Sequence, residues 1–290
     1  MKNQNTAPMK PALLKIEQLR PFEGHPYKVQ DNEEMTALSE SIRESGILSP
    51  LIVRPVEENQ YEVISGHRRL YAARKAGLTE VPVLICVLDW DAAAIALVDS
   101  NLHREHILPS EKAFAYKLKM EAMSRQGHRS DLTSDQVGRK LETAEMIAWQ
   151  SDDSKSQVRR YIRLTHLIPE LLEKMDKEEI AFSVGVELSY LDEQSQYDVL
   201  EQCEINECTP SYSQAWRMHK ADREGLLTRD VIQFIMSEEK PNQRETVKIP
   251  TEKLRKFAPV ADPRQLEDFV LKACEHYRKY LIRQRGREER

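Results

Sequence analysis

A tight turn between a predicted strand and a predicted helix could bind an anion. Residues 61–64 form a short run typical of a strand, Gly66 follows, and the next helix carries Arg68 and Arg69 in its first turn. Free N–H groups at a helix start point toward a ligand, and the helix dipole favours negative charge there. Arginine adds forked donors, and glycine allows a phosphate to approach the backbone. The alternative is a solvated face on which Arg68, Arg69 and Arg74 pair with neighbouring carboxylates.

Two short helices separated by a polar turn are predicted in the middle of the chain. The first covers residues 143–150 and the second covers residues 154–164. Small Ala148 would permit close approach of the two helices, and Val158 would pack beneath them. This is the spacing of a helix-turn-helix, with Asp152 where most such motifs carry glycine, a mild departure because aspartate tolerates the left-handed conformation.

The outward face of the second helix is rich in residue types that bind DNA. Its inward stripe is formed by Val158, Tyr161, Ile162 and Leu164. Lysine and arginine attract phosphates, while serine, glutamine and arginine near the helix start can reach base edges. The predicted DNA contacts are Ser154, Lys155, Ser156, Gln157, Arg159, Arg160 and Arg163. Two alternatives remain: an ordinary amphipathic helix with a solvated basic face, and a first helix placed at residues 134–141.

Four segments around these two features occur in an order that is found in a known family. They are residues 41–54 (SIRESGILSPLIVR), 66–73 (GHRRLYAA), 100–105 (SNLHRE) and 108–116 (LPSEKAFAY). The set resembles the amino-terminal domain of the ParB-type partition proteins, closely over residues 12–120 and more loosely to about residue 190. Residues 159–172 also resemble the ParB/RepB-like proteins of mobile elements, in which a long polar insertion precedes the motif.

The resemblance implies that this domain binds CTP with magnesium, and that nucleotide binding closes a dimer into a clamp on DNA. The matching positions are Gly66, Arg68 and Arg69 for the triphosphate with His67 in the same turn, Asn101 for the nucleotide and magnesium, and Arg104 nearby. Two positions depart from the family, because His67 and Ser100 stand where it has glutamate. A serine hydroxyl is a poor replacement for a carboxylate on magnesium. The sequence therefore disfavours CTP hydrolysis, and leaves open binding without turnover or binding of another anion.

The same fold resembles sulfiredoxin, whose catalytic turn reads Cys-His-Arg. This chain has Gly66, His67 and Arg68 there, so it lacks the cysteine that thiol chemistry needs. Ser65 beside His67 does not supply a nucleophile and its base, because neighbours in sequence rarely face each other in such a pair. We therefore predict no thiol-based or serine-based catalysis at this turn.

Charge and composition limit the class of protein. The 290 residues carry a net charge of −5, which argues against a uniformly basic protein but allows a local basic patch. No apolar run approaches the length that spans a bilayer, and the start has no apolar signal region, so we expect no membrane contact and no secretory signal. The four cysteines lack paired metal spacing, which favours a reducing cytoplasm; they are Cys86, Cys203, Cys208 and Cys274.

These elements predict an α+β chain: a small amino-terminal α/β domain of the ParB/sulfiredoxin type, then an all-α helix-turn-helix domain and a helical carboxy-terminal region. The predicted segments are a disordered start at residues 1–12, a nucleotide-binding domain at 13–100, a DNA-binding domain at 101–209 and a dimerisation region at 210–290. Apolar residues between Leu266 and Leu281 recur at helical spacing. This stripe favours pairing with a second copy, although it could also dock on its own domain.

Together these features predict a partition or segregation protein of a chromosome, plasmid or integrative element, which binds a specific DNA site as a CTP-responsive dimer. Its expected partners are double-stranded DNA, a second copy of the chain and a ParA-type ATPase, and its expected location is the cytoplasm, in association with the nucleoid. Two other functions are left open. One is a CTP-hydrolysing enzyme that DNA activates, and the other is a plain transcriptional repressor of a mobile element, which would not need the anion-binding turn.

Overall fold

Five short strands of the amino-terminal region pair into one mixed sheet. The computed structural model describes residues 9–102, 106–130, 136–151, 153–238, 251–257 and 263–288. Its strands are β1 (Lys10–Lys15), β2 (Leu19–Pro21), β3 (Leu51–Glu57), β4 (Gln60–Ser65) and β5 (Glu80–Ile85), in the order β1-β5-β3-β4-β2. β3 runs antiparallel to β4 and parallel to β5, while β1 is antiparallel to β5 and β2 is parallel to β4. The β3–β4 hairpin turns at residues 58–59, where Asn59 has a φ of 57°, a conformation that asparagine tolerates.

Helices alternate with these strands and continue after them in the chain. They are α1 (Glu33–Ser45), α2 (His67–Ala76), α3 (Trp90–Leu102), α4 (Pro109–Ser130), α5 (Gln136–Trp149), α6 (Lys155–Leu164), α7 (Pro169–Asp176), α8 (Phe182–Leu188), α9 (Glu193–Ile205), α10 (Tyr212–Arg223), α11 (Arg229–Ser237), α12 (Thr251–Arg255) and α13 (Pro263–Glu288). The predicted α+β class is confirmed. Among the described residues, every helix is too short or too polar to span a lipid bilayer.

The sheet forms the middle layer of the amino-terminal region. Successive residues of a strand point to opposite faces, so Val63 and Ile64 of β4 enter different cores. Val63 packs in one core with Met35 of α1, and α2 contributes to the same side. Ile64 packs in the other core with Leu97 of α3 and Ala115 of α4. The sheet is therefore covered by α1 and α2 on one face and by α3 and α4 on the other.

Helix α4 is shared between the sheet and the helices that follow it. Ala115 faces the sheet, whereas Ala113 belongs to a larger core built from α6 to α11. Tyr116 lies in a third small core with Ile147 of α5 and Val158 of α6. Because α4 contributes to three of these four cores, its side chains connect the sheet with the predicted DNA-reading helices.

The compact units of the chain divide at residue 238, giving residues 1–238 and residues 239–290. α10 and α11 bury Met218 and Ile232 in the same core as α7 to α9, so the boundary predicted at residue 210 falls inside the first unit. The boundary predicted at residue 100 cuts α3, which ends at Leu102. The segment predicted to be disordered to residue 12 overlaps β1, which starts at Lys10, and residues 1–8 lie outside the described residues.

Candidate functional site

The two helices predicted as a helix-turn-helix are present as α5 and α6. Val158 of α6 and Ile147 of α5 are fully buried against Tyr116 of α4, and Ala148 packs at the edge of this small core. α5 runs from Gln136 to Trp149, so one helix overlaps both of the placements that the sequence allowed for the first helix. Within the turn, Asp152 lies outside the described residues.

The start and the rotation of α6 are fixed by its own sequence. Ser154 caps the helix, because its Oγ accepts a hydrogen bond of 3.2 Å from the Gln157 N–H. Val158 and Leu164 are buried beneath the helix, while Ser156 and Arg159 are exposed on the opposite side. The helix therefore presents a polar, basic face to solvent, as the periodicity predicted.

The first basic residues of α6 differ in how free they are. Lys155 Nζ lies 2.7 Å from Glu145 Oε2 of α5, and this hydrogen bond with Lys155 lowers the pKa of the Glu145 carboxyl. Arg159 makes no ion pair with any residue that the structure describes. Of these two cations, Arg159 is thus the more available to a phosphate or a base.

The last basic residues of α6 are partly engaged within the protein. The Arg160 guanidinium carbon lies 5.0 Å from the centre of the Phe182 ring. Arg163 is held more firmly, since its guanidinium carbon lies 4.2 Å from the centre of the Tyr190 ring and its Nη2 donates to the Ser189 carbonyl at 2.8 Å. Sequence reasoning grouped Arg163 with the outward contacts, whereas the structure ties it to the end of α8. The side chains that line the resulting groove, of about 400 Å³, are Lys155, Ser156, Arg159, Arg160, Arg163 and Tyr190.

A polar face of α4 holds the turn between α5 and α6. The Tyr116 hydroxyl donates to Asp153 Oδ2 at 2.5 Å, and Lys112 Nζ lies 2.6 Å from the same oxygen. Lys119, which is fully buried, donates to Gln150 Oε1 at 2.6 Å. Burial and the hydrogen bond to Asp153 raise the pKa of Tyr116, so the phenol stays protonated and donates. Sequence reasoning missed these residues, although their spacing of four and three places them on one helix face.

Gly66 lies in the predicted anion-binding turn at the start of α2. Its φ is 103°, a region that favours glycine. A Cβ at this position would lie 3.1 Å from Leu51 Cγ and 3.1 Å from Arg69 Nη2. Both the backbone conformation and the close approach of neighbouring side chains therefore require glycine here.

The two arginines of this turn point to different partners. Arg69 Nη1 donates to the Ser49 carbonyl and, at 2.9 Å, to the Pro50 carbonyl, which fastens the loop before β3. Burial lowers the pKa of Arg69. Arg68 Nη2 instead lies 3.0 Å from Glu34 Oε2 in an exposed ion pair. Arg68 thus lies on a solvated face and pairs with a carboxylate, as in the alternative to an anion site, while Arg69 is bound to the backbone of the loop before β3.

Arg68 lines an open cleft of about 440 Å³. Lys28 and Asn32 line the same cleft, together with carboxylates such as Glu34 and Asp176. Lys28 Nζ lies 3.1 Å from Asp176 Oδ2, so part of the positive charge is already paired. The cleft offers these cations to an anion, but only if the existing ion pairs rearrange.

The other predicted nucleotide contacts, His67 and Asn101, have partners of their own within the protein. His67 is buried, and its ring centre lies 3.7 Å from that of His25. Asn101 is buried and its Nδ2 donates to the Leu97 carbonyl at 2.7 Å and to Ser100 Oγ at 3.2 Å. Arg104 lies outside the described residues.

A magnesium site is not supported by this donor set. The described residues contain no group of three His, Cys, Asp or Glu side chains placed to hold a metal ion. Ser100 supplies a hydroxyl where a carboxylate would be the natural ligand. The residues therefore do not fit magnesium in the described conformation.

Residues 2–102 match the family described as the ParB N-terminal domain. This match covers about a third of the chain. The resemblance seen in the sequence motifs is therefore confirmed. The chain is 37% identical over 168 residues to the chromosome-partitioning protein Spo0J of Thermus thermophilus, covering 58% of this chain and 55% of that protein. It is 36% identical over 171 residues to the probable chromosome 1-partitioning protein ParB of Deinococcus radiodurans, covering 59% and 52%.

The matches cover about half the length of these curated relatives. Among solved structures, the chain is similar to the C-terminally truncated chromosome-partitioning protein ParB of Caulobacter crescentus complexed to the centromeric parS site. That similarity has a TM-score of 0.42 and 24% identity, and it covers 72% of this chain and 98% of the other. Beyond the ParB N-terminal domain, α5 and α6 supply the second half of the candidate site.

Proposed function

We propose that this chain is a sequence-specific double-stranded DNA-binding protein of chromosome or plasmid partition. The observation that carries the proposal is the geometry of α6, a capped helix whose buried Val158 turns Ser156 and Arg159 toward solvent. A helix with polar and basic residues near its start is suited to the major groove, where such side chains reach base edges. Similarity to chromosome-partitioning proteins supports the biological role.

The test compares the full chain with one substitution on α6 and one matched control. Arg159→Ala should weaken binding to the preferred fragment by about 1–3 kcal/mol if Arg159 reads a base. If it contacts a phosphate, binding should weaken equally on all sequences and the salt slope should fall by about 1. Arg43→Ala is the control, because Arg43 is exposed on α1, across the sheet from α4.

Fluorescence anisotropy on DNA fragments of the replicon that encodes the chain measures both the affinity and its salt dependence. Unchanged affinity in Arg159→Ala would show that α6 is not the interface. A wild-type chain with no preference for any fragment would reject the function itself.

We further propose that the ParB N-terminal domain binds CTP at the start of α2, without magnesium-dependent turnover. Gly66, the backbone N–H groups of the first helical turn and Arg68 would hold the phosphates, and Ser100 is the reason to expect no hydrolysis. CTP would supply a polyanion whose charge competes with Glu34 for Arg68. The residues at the start of α2 therefore suit the phosphates of the nucleotide rather than a magnesium ion.

Titration calorimetry with each of the four ribonucleoside triphosphates, with and without DNA, tests this proposal. Arg68→Ala should lose CTP affinity, and Arg43→Ala should keep it. CTP binding without phosphate release supports the proposal, whereas turnover favours the enzyme alternative. No nucleotide binding favours the plain repressor.

Dimerisation and a ParA-type ATPase partner remain predictions. A dimer would explain reading of an inverted repeat, because a two-fold axis presents two copies of α6 to two half-sites. Association with the nucleoid follows from DNA binding itself.

A further inference from the structure

A second basic and aromatic surface lies on α10, formed by Trp216, His219, Lys220 and Arg223. These four residues recur at helical spacing and line a depression of about 280 Å³. The opposite face of α10 is buried, with Ala215 fully enclosed in the helical core. Trp216 is 47% exposed, although tryptophan side chains are mostly buried on average. We refer to these four residues as the α10 surface.

Tyr190 joins the α10 surface to the groove along α6. The His219 ring stacks on Tyr190 with the two ring centres 4.2 Å apart and the planes within 2°. The Arg163 guanidinium carbon also lies 4.2 Å from the Tyr190 ring centre. Two groups this close cannot share one face of a ring, so Tyr190 lies between them. Since Tyr190 also lines the α6 groove, the two surfaces are continuous.

The carboxylate of Glu187, beside this junction, already has partners within the protein. Glu187 Oε2 lies 2.7 Å from His219 Nδ1, and the Tyr212 hydroxyl donates to the other oxygen at 3.4 Å. The outward charges of the α10 surface are Lys220 and Arg223, both exposed. Lys220 has only weak contacts: Glu224 lies 4.0 Å away with both side chains more than half exposed, and the centre of the Trp216 ring lies 5.7 Å from Lys220 Nζ. Glu224 also lines the depression, so with Glu187 engaged the outward charges here are two cations and one carboxylate, an excess of one positive charge.

We propose that the α10 surface is a second DNA contact, in which Lys220 and Arg223 bind backbone phosphates that flank the segment read by α6. The proposal rests on the proposed DNA-binding function and extends it to a neighbouring stretch of duplex. α6 has ten residues and is about 15 Å long, so it spans only part of one turn of the groove. A continuous basic surface beyond its carboxy-terminal end would meet the backbone next to that segment. Charge complementarity favours DNA over a protein partner for this surface.

The experiment uses the full chain and two lengths of duplex. One duplex carries the minimal preferred site, and the other adds about one helical turn of ten base pairs on each side. The salt dependence of affinity is measured for the wild type, for Lys220→Ala/Arg223→Ala and for the charge-conserving Lys220→Arg/Arg223→Lys. The control Arg43→Ala/Lys75→Ala removes the same two charges from α1 and α2, on the far side of the sheet. Thermal midpoints of all variants verify that each is folded.

On the long duplex, the alanine pair should lower the slope of log affinity against log salt by about 2, at roughly 0.9 per lost contact. On the minimal duplex the same pair should leave the slope unchanged, and the charge-conserving pair should behave as wild type on both. Equal slopes for the wild type and the alanine pair on the long duplex would overturn the α10 contact while leaving DNA binding intact. This is also the outcome expected if the surface serves a protein partner. A wild-type chain that binds neither duplex would instead reject the proposed function, and the α10 contact with it.

Discussion

At the scale of single residues, the charge of Lys155 is divided between the protein and any DNA that α6 meets. Its Nζ lies 2.7 Å from Glu145 Oε2, and this contact lowers the pKa of Glu145, which therefore stays ionised at neutral pH. The carboxylate both occupies Lys155 and repels phosphates. An exposed pair of this kind contributes little to folding, so its main effect falls on DNA binding.

We expect Glu145→Gln to tighten DNA binding and to steepen the salt slope by up to about 1, because Lys155 gains a phosphate contact. The thermal midpoint should change little. Fluorescence anisotropy across a salt series measures the effect. Glu44→Gln on α1 is the control, since Glu44 is exposed on the far side of the sheet and should leave the slope as it is. Weaker binding by Glu145→Gln would mean that the ion pair positions α6 rather than competing for it.

The sequence predicted the outward face of α6 correctly in its periodicity but not in its contacts. Val158 and Leu164 are buried because residues at these spacings share one side of a helix, which periodicity alone reveals. Arg163 is an arginine one helical turn after Arg159, yet it stacks on Tyr190 and donates to the Ser189 carbonyl at the end of α8. Its partners lie more than twenty positions away in sequence. A contact of that kind depends on how α8 packs against α6, which no local pattern contains.

At the scale of elements, α4 positions the turn that precedes α6. Lys119 bridges from Gln150 beside this turn to Asp99 of α3, and Tyr116 donates to Asp153 within it. A buried lysine is tolerated when its donors are satisfied, as here. The arrangement connects the last turns of α3 with the start of α6 through one rigid element.

Tyr116→Phe removes the hydroxyl and leaves the ring in its small core. Loss of this hydrogen bond should destabilise the fold by about 1–2 kcal/mol, because the partly buried Asp153 oxygen loses a donor. Amide hydrogen exchange at residues 150–154 should become faster, and the ratio of specific to nonspecific DNA affinity should fall. Tyr71→Phe is the matched control, since its hydroxyl makes an exposed contact of 3.3 Å with Asp31. Unchanged exchange at the turn would show that Lys112 and Lys119 hold it without the phenol.

Element types were more predictable than their lengths. The β3–β4 hairpin and α2 follow from local signals, namely alternating apolar residues, a two-residue turn and the glycines at both ends of α2. α5 is longer than expected, because the polar stretch before Thr143 continues the helix from Gln136 instead of forming a loop. Polar residues do not prevent a helix when its other end is anchored, and the anchor here is a buried Ile147.

At the scale of the whole molecule, the division of the chain follows its cores rather than its prolines. Pro210 was expected to begin a new region, since it interrupts the helical pattern. It instead lies in the loop between α9 and α10, and both helices bury residues in one core. Proline here marks the end of an element, and the division into compact units at residue 238 depends on packing that local sequence signals do not show.

This division has a consequence for α13, which lies in the second unit. Val270, Ala273, Tyr277 and Tyr280 alternate in spacings of three and four, the seam of a coiled coil. Tyr277 is 61% exposed and Tyr280 is 50% exposed, so the seam is uncovered in one copy of the chain. A second copy of α13 would cover it and would form a two-fold dimer.

Residues 1–238 alone should therefore fold, since they contain complete cores, but should be monomeric. Sedimentation velocity should give a monomer for this fragment and a dimer for the full chain. The fragment should bind one half-site as tightly as the full chain does, and should lose the added affinity for two half-sites. Tyr277→Ala/Tyr280→Ala in the full chain should reproduce the loss without truncation. A fragment that still sediments as a dimer would place the interface within residues 1–238, and the seam on α13 would then need another partner.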